Sequence, residues 1–422
     1  MSFSEWREVV LKDVIEFNPK ESIKKGTVTK KIGMDKLAPF QRKIDGFELA
    51  EFSGGSKFRN GDTLLARITP CLENGKTAQV MILDDDEIAF GSTEYIVMRN
   101  KTGITDNNYI FYLSLSQYVR DTAIKSMTGT SGRQRAQTDV IKNTKIMLPP
   151  LQEQKAIAHI LSTLDDKIEV NNQINKTLEN MAQEIFKQWF VDFEFPNEDG
   201  ESYKSSGGEM VESELGLIPK GWEVASLYDI ADYINGTSFK KNEVNEFEGT
   251  PIIKIAEIKN GNSKSTSFYN GTTNKAKKYY LRKRDILFSW SGNPETSIDI
   301  FIWSKEQGIL NQHIFKVEPY DYSKSYIYFL LKNFKSVFMD IASNKQTTGL
   351  GHVTVADLKR LKTPIPNEEI LSEFIKISDV IIEKIFNNMQ EIETLQSLRD
   401  SLLPKLLSGE IRVPLDEEGV VS

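Results

Sequence analysis

Thr128-Gly129-Thr130-Ser131-Gly132-Arg133-Gln134-Arg135 gathers two guanidiniums, a carboxamide and several hydroxyls on a stretch that glycines make pliable. Guanidinium and carboxamide groups are planar and offer paired polar atoms, so they can meet the edge of guanine or adenine through two hydrogen bonds at once. A later stretch, Asn344-Lys345-Gln346-Thr347-Thr348-Gly349-Leu350-Gly351-His352, carries the same kinds of group. Structural turns would account for the glycines equally well. The polar groups around them favour DNA contact, with Thr130, Ser131, Arg133, Gln134, Arg135, Lys345, Gln346, Thr347, Thr348 and His352 as candidates. Arg67 and Lys76 are candidates for phosphate contacts, and Asn293, close to Ser289, Trp290 and Ser291, occupies the related stretch further on. Trp290 suits a core as well as an interface.

Other chemistries fail on spacing. Gly75-Lys76-Thr77 hints at a phosphate loop, but Pro70 stands where the first glycine is needed, so the cradle of backbone N–H groups cannot form. Glu257-Ile258-Lys259 could belong to a metal-dependent nuclease, yet no upstream acid is paired with it, and a strand-end surface explains it better. Its repeat counterpart is Met34-Asp35-Lys36. His159, His313 and His352 are too scattered for a metal cluster, and Cys71 is the single cysteine. No Asn-Pro-Pro-Tyr-like or glycine-rich cofactor signature is visible. No catalytic residue, metal or cofactor is expected.

The 422 residues exceed what one core organises, and 39% hydrophobic with 27% charged content is ordinary for a globular protein. A net charge of -7 argues against a surface that attracts polyanions everywhere, so local cation density must do that work. Cations cluster at Lys24, Lys25, Lys30 and Lys31 and at Lys275, Lys277, Lys278, Arg282, Lys283 and Arg284. No leader is read at the start and no apolar stretch reaches the ~20 residues of a membrane span, so a reducing cytoplasm is expected.

Trp6, Leu11, Asp13, Val14, Glu16 and Phe17 recur at one constant spacing as Trp222, Leu227, Asp229, Ile230, Asp232 and Tyr233. Lys31, Ile32, Arg59, Asp62 and Leu64 answer to Lys254, Ile255, Arg282, Asp285 and Leu287 after a short insertion, and Tyr109-Ile110-Phe111-Tyr112-Leu113 answers to Tyr326-Ile327-Tyr328-Phe329-Leu330. The chain is a tandem duplication with diverged interiors. Each copy ends in a heptad seam: Ile157, Leu161, Leu164, Ile168, Asn171, Asn175, Leu178, Ala182, Ile185 and Trp189 in the first, with Ser378 and Arg399 as polar interruptions in the second. At ~1.5 Å per residue such a helix is a rod of about 55 Å whose apolar stripe needs a partner, and the other helix is the nearest. Asn171 and Asn388 hold equivalent seam positions, where they either fix register or face solvent. The expected fold is α+β: two similar mixed α/β domains, each followed by a long helix, the helices pairing as an antiparallel coiled coil with pseudo-twofold symmetry. Expected boundaries are a first domain over 1–150, a helix over 151–193, a flexible acidic linker over 194–220, a second domain over 221–366, a helix over 367–408 and a tail over 409–422.

Two diverged domains on long helices, with Leu148-Pro149-Pro150-Leu151-Gln152-Glu153-Gln154 leading the first helix, resemble the specificity subunits of Type I restriction-modification enzymes. Leu65 to Lys76, Trp189-Phe190-Val191-Asp192-Phe193 and Tyr203-Lys204-Ser205-Ser206-Gly207-Gly208 also look familial, whereas Pro364-Ile365-Pro366-Asn367-Glu368-Glu369 has drifted from the motif. The resemblance implies that each domain is a target-recognition domain for one half of a split, asymmetric site in double-stranded DNA. It also implies that the paired helices hold the halves apart and dock two methyltransferase subunits, with restriction and translocase subunits joining for cleavage. A standalone bivalent DNA-binding regulator would share this build without needing a methyltransferase.

Overall fold

In the computed structural model, which describes residues 5–130, 132–262, 265–346 and 350–413, the apolar run Thr63–Ala66 is buried throughout and forms an inner strand of a four-stranded sheet. The order is Ile15–Phe17, Tyr95–Asn100, Thr63–Ala66, Thr77–Gln79, all antiparallel. The second copy repeats it with Ala231–Asn235, Ile314–Pro319, Ile286–Ser289 and Asp299–Ile302. The matched turns have one cause: the Asp62 carboxylate caps the Arg59 N–H and the Asp285 carboxylate caps the Arg282 N–H, both at 2.8 Å. Tyr109–Leu113 and Tyr326–Leu330 lie on the buried helices Asn107–Leu115 and Lys324–Asn333, capped by Asp106 and Ser323.

A smaller sheet in each copy contains one parallel pair, Ile32 against Gly91 and Ile253 against Leu310. Ile32 therefore corresponds to Ile253, not to Ile255 as the sequence match suggests. The two-residue shift sets Lys31-Ile32 against Ile252-Ile253 in place of the Lys254-Ile255 that reads alike in sequence, and only backbone pairing reveals it.

Each domain closes by pairing its first and last strands, Arg7–Val10 with Lys145–Leu148 and Glu223–Ser226 with Lys362–Ile365. The last strand then delivers the chain into a long helix, Leu151–Phe190 or Glu368–Ser408. Pro149 and Pro150 precede the first, where missing N–H groups cost nothing, and Gly409 at φ +76° ends the second.

Two structural units cut across this order. One comprises residues to Val170 with those from Ile392 onwards; the other is Asn171–Glu391. Both helices pass from one unit to the other, and within each unit they run antiparallel. In the first, Arg399 donates to Asp165 at 2.7 Å, and Leu161 and Leu406 share the core of the domain. In the second, Asn388 donates to Asn175 at 2.8 Å and Asn171 to Glu391 at 2.9 Å. Asn171 and Asn388 are 1% and 2% exposed, so the solvent-facing reading is excluded. Ser378, the other seam interruption, is buried against the Ser325 hydroxyl.

The Pro-Pro-Leu-Gln-Glu-Gln motif is a fastening. The Gln154 carboxamide accepts from the Asp106 N–H and donates to the carbonyls of Ile104 and Pro149. Glu153 accepts from the Trp6 indole and from two guanidinium nitrogens of Arg412, which also lies 5.4 Å over the Trp6 ring. In the other unit the matching tryptophan, Trp222, is stacked by Phe195 at 5.3 Å, within a cluster that includes Phe190 and Phe374. Trp189 and Phe190 are thus core residues. Residues 194–220 differ from a flexible linker: Glu194 accepts from the Ser205 N–H and hydroxyl, Tyr203 stacks on Phe195, and Met210–Ser213 pairs with Gly216–Pro219. The acidic composition hides the buried Phe195 and Ile218 that hold this segment down.

Candidate nucleic-acid interface

In the first unit the stretch after the helix Gln117–Lys125 folds back on itself, with Thr128 and Arg135 exchanging N–H···O bonds of 2.9 and 3.1 Å. Its return arm docks on the segment that leaves the inner strand: Thr69 N–H donates to the Gln134 carbonyl (3.0 Å) and Ala136 N–H to the Arg67 carbonyl (2.8 Å). The second unit reproduces the docking. Ser291–Gly292 pairs with Gly351–His352, and Val353 N–H donates to the Trp290 carbonyl at 2.9 Å. Gly351 is obligatory here, because a Cβ would sit 2.0 Å from the Ala342 carbonyl oxygen.

The two loops therefore occupy equivalent places and carry different side chains. Thr130 and Arg133 are exposed, and the Arg133 guanidinium makes no hydrogen bond or ion pair with a described residue. Gln134 is half-buried. Arg135 is not free: its Nε and Nη2 grip both oxygens of Glu94 at 2.7 to 3.0 Å. Arg67 donates from Nη2 to the Ala136 carbonyl (3.1 Å), while its Nε is buried with no partner among the described residues. Lys76 turns inward to the Met34 carbonyl at 2.7 Å, away from the phosphate contact expected of it, because the turn it closes brings residues 33–36 within reach. Arg120 holds that turn through the Leu72 carbonyl.

In the second unit Gln346 is exposed and His352 half-buried. Lys345 is an anchor, paired with the buried Asp357. Burial alone would raise the Asp357 carboxyl, but Lys345 and Thr354 outweigh it and hold it at about 2. Asn293 caps the short helix Pro294–Ser297, its side-chain oxygen accepting from the N–H groups of Glu295 and Thr296, so only its amide nitrogen is left to meet a ligand. Trp290 is half-buried, stacked on Phe315 and 5.9 Å from the His313 ring. Ser131, Thr347 and Thr348 lie outside the described residues.

Glu94 and His313 escaped sequence reasoning. Each directly precedes an inner strand, Tyr95–Asn100 or Ile314–Pro319. Only the sheet register makes them equivalent, since the intervening loops differ in length. The remaining suspects have structural roles. Glu257 sits in the helix Ile255–Asn260, not at a strand end, and accepts from the Lys254 N–H and the Thr266 hydroxyl. The parallel-pair register aligns it with Lys36 instead of Met34. No group of acids, histidines or cysteines among the described residues could hold a metal ion.

Comparison with known proteins agrees with this architecture. The family model of the Type I restriction modification DNA specificity domain matches twice, over residues 3–180 and 219–399. The Type I restriction enzyme MjaIX specificity subunit of Methanocaldococcus jannaschii is 30% identical, across 74% of this chain and 71% of its own. The HindI specificity subunit of Haemophilus influenzae is 27% identical over 84% and 87% respectively. A crystal structure of a Type I restriction-modification system S subunit from M. genitalium shares the fold at a TM-score of 0.51 and 14% identity, covering 96% of each chain. With both copies matched and most of the length covered, the chain belongs to the specificity-subunit family of Type I restriction-modification enzymes.

Proposed function

We propose that this chain reads a split, asymmetric sequence in double-stranded DNA, one half per globular domain, and docks two methyltransferase subunits through its long helices. Restriction and translocase subunits join the same complex for cleavage, and the assembly works in the cytoplasm. As a specificity subunit the chain is non-catalytic: methyl transfer and cleavage belong to other subunits. Family membership sets aside the standalone regulator. The observation that carries the DNA-reading assignment is the pair of loops at 128–135 and 344–352, docked on equivalent strand ends yet unlike in side chain. Two copies of one scaffold with different reading groups are what an asymmetric target requires.

Charge distribution supports local contact. Many cations of the basic runs are neutralised within the fold, Lys30 by Asp84 and Glu87, Lys275 by Glu243, Lys283 by Glu306 and Arg284 by Glu383. Arg133, Lys24 and Lys25 stay exposed for phosphates. No described helix is long and apolar enough to cross a membrane. The test is to assemble the chain with its methyltransferase partner and map methylated bases genome-wide. Arg133→Ala should weaken use of the first half-sequence and Gln346→Ala the second; a complex whose methylation has no two-part target would refute the assignment.

A further inference from the structure

The two sheets place three side chains alike in each domain. Ala66 lies opposite Tyr95, and Ser289 opposite Ile314. One residue beyond these pairs stand Arg67 beside Glu94, with Arg67 N–H donating to the Glu94 carbonyl at 2.9 Å, and Trp290 beside His313. The third member arrives on the docked loop: Arg135 opposite Ile68 in one domain, His352 opposite Ser291 in the other. Backbone geometry is shared, so the side chains alone differ.

We propose that these three positions set which base pair each domain selects, with Arg67, Glu94 and Arg135 selecting a G·C pair and Trp290, His313 and His352 an A·T pair. The inference rests on the DNA-reading function proposed above and names its discriminating groups. Glu94 is a positioning residue. It holds the Nε and Nη2 side of Arg135, and Nη1 makes only a loose 3.4 Å contact with the Arg133 carbonyl, so the Nη1–Nη2 edge stays available. That edge, held in place by the carboxylate, fits the two acceptors of guanine in the major groove. The second domain has no such fork. An imidazole offers single hydrogen bonds, and the half-buried indole offers an apolar face to a thymine methyl.

The experiment uses the full chain assembled with its methyltransferase subunits, and methylation mapping as the readout. Glu94→Gln keeps the size of the side chain and weakens the grip on Arg135. Discrimination at one G·C position of the first half-sequence should fall on the order of tenfold to a hundredfold, as expected when a bidentate base contact is lost, with the second half unchanged. Glu94→Asp should restore part of it. In the opposite direction, His313→Glu with His352→Arg should bring a G·C preference to one position of the second half. An unchanged first half-sequence in Glu94→Gln overturns the proposal, and so does equal loss at both halves, which would mark Glu94 as merely structural. In the unchanged case, wild-type methylation of a two-part target would leave the DNA-reading function standing.

Discussion

Removing the Arg412 guanidinium should loosen the first unit well beyond what one residue after the last helix suggests. Glu153 is 2% exposed and is served by Arg412 Nε at 2.6 Å, Nη2 at 2.8 Å and the Trp6 indole at 3.0 Å. In Arg412→Ala the carboxylate keeps the indole and loses its counter-charge. Breaking a buried pair from one side costs about 3–5 kcal/mol. The Arg412 side chain is 24% exposed, so water can enter the vacated space, and about 2–3 kcal/mol is the expected loss. At roughly 2–4 °C per kcal/mol for a unit of this size, the melting midpoint of that unit should fall by roughly 4–12 °C. A chain with two units need not unfold in one step, so hydrogen exchange at Leu151–Ile160 gives the local answer. Adding Glu153→Gln should recover most of the loss, because a neutral carboxamide still accepts from Trp6. A single variant within about 0.5 kcal/mol of the parent, or a double variant no better than the single, would refute the reasoning.

Gly351→Ala should disable the second loop while sparing the first, since its Cβ would meet the Ala342 oxygen at 2.0 Å; methylation mapping should show the second half-sequence alone relaxing. Asp357 has a folded value near 2, below the ordinary 3.8, so its contribution to stability is complete above about 4 and is lost as the pH falls towards 2. Asp357→Asn should flatten that acid limb in unfolding measured against pH. Asn388→Ala should leave the half-buried Asn175 carboxamide without its partner at a cost of about 1 kcal/mol, read as faster exchange along the second unit's helix pair.

The duplication was legible because its matched residues do the same work in both copies: Asp62 and Asp285 cap turns, and Tyr109–Leu113 and Tyr326–Leu330 fill cores. The long helices were legible from heptads, and even their polar interruptions have partners, Arg399 on Asp165 and Ser378 on Ser325. Interior loops were not, because their lengths differ and pairing across a sheet leaves no mark on linear spacing; Glu94 and His313 surfaced only through register. Composition misjudged residues 194–220, where the buried Phe195 and Ile218 outweigh many surface acids. Of the proposed DNA contacts, sequence located both loops but could not tell which cations the fold keeps for itself, as it does Lys76 and Lys345.

The buried amides between the helices limit how the pair can move. Sliding one helix along the other by a heptad would keep apolar residues facing apolar ones, yet it would carry Asn388 off Asn175 and Asn171 off Glu391. Each buried polar group left without a partner costs roughly 1–3 kcal/mol, and sliding strands several together. Bending spreads its distortion over many turns and breaks none of these bonds. Within the second unit the helix pair therefore yields to bending more readily than to sliding, because a force along its axis meets the buried amides before it can shift the apolar seam.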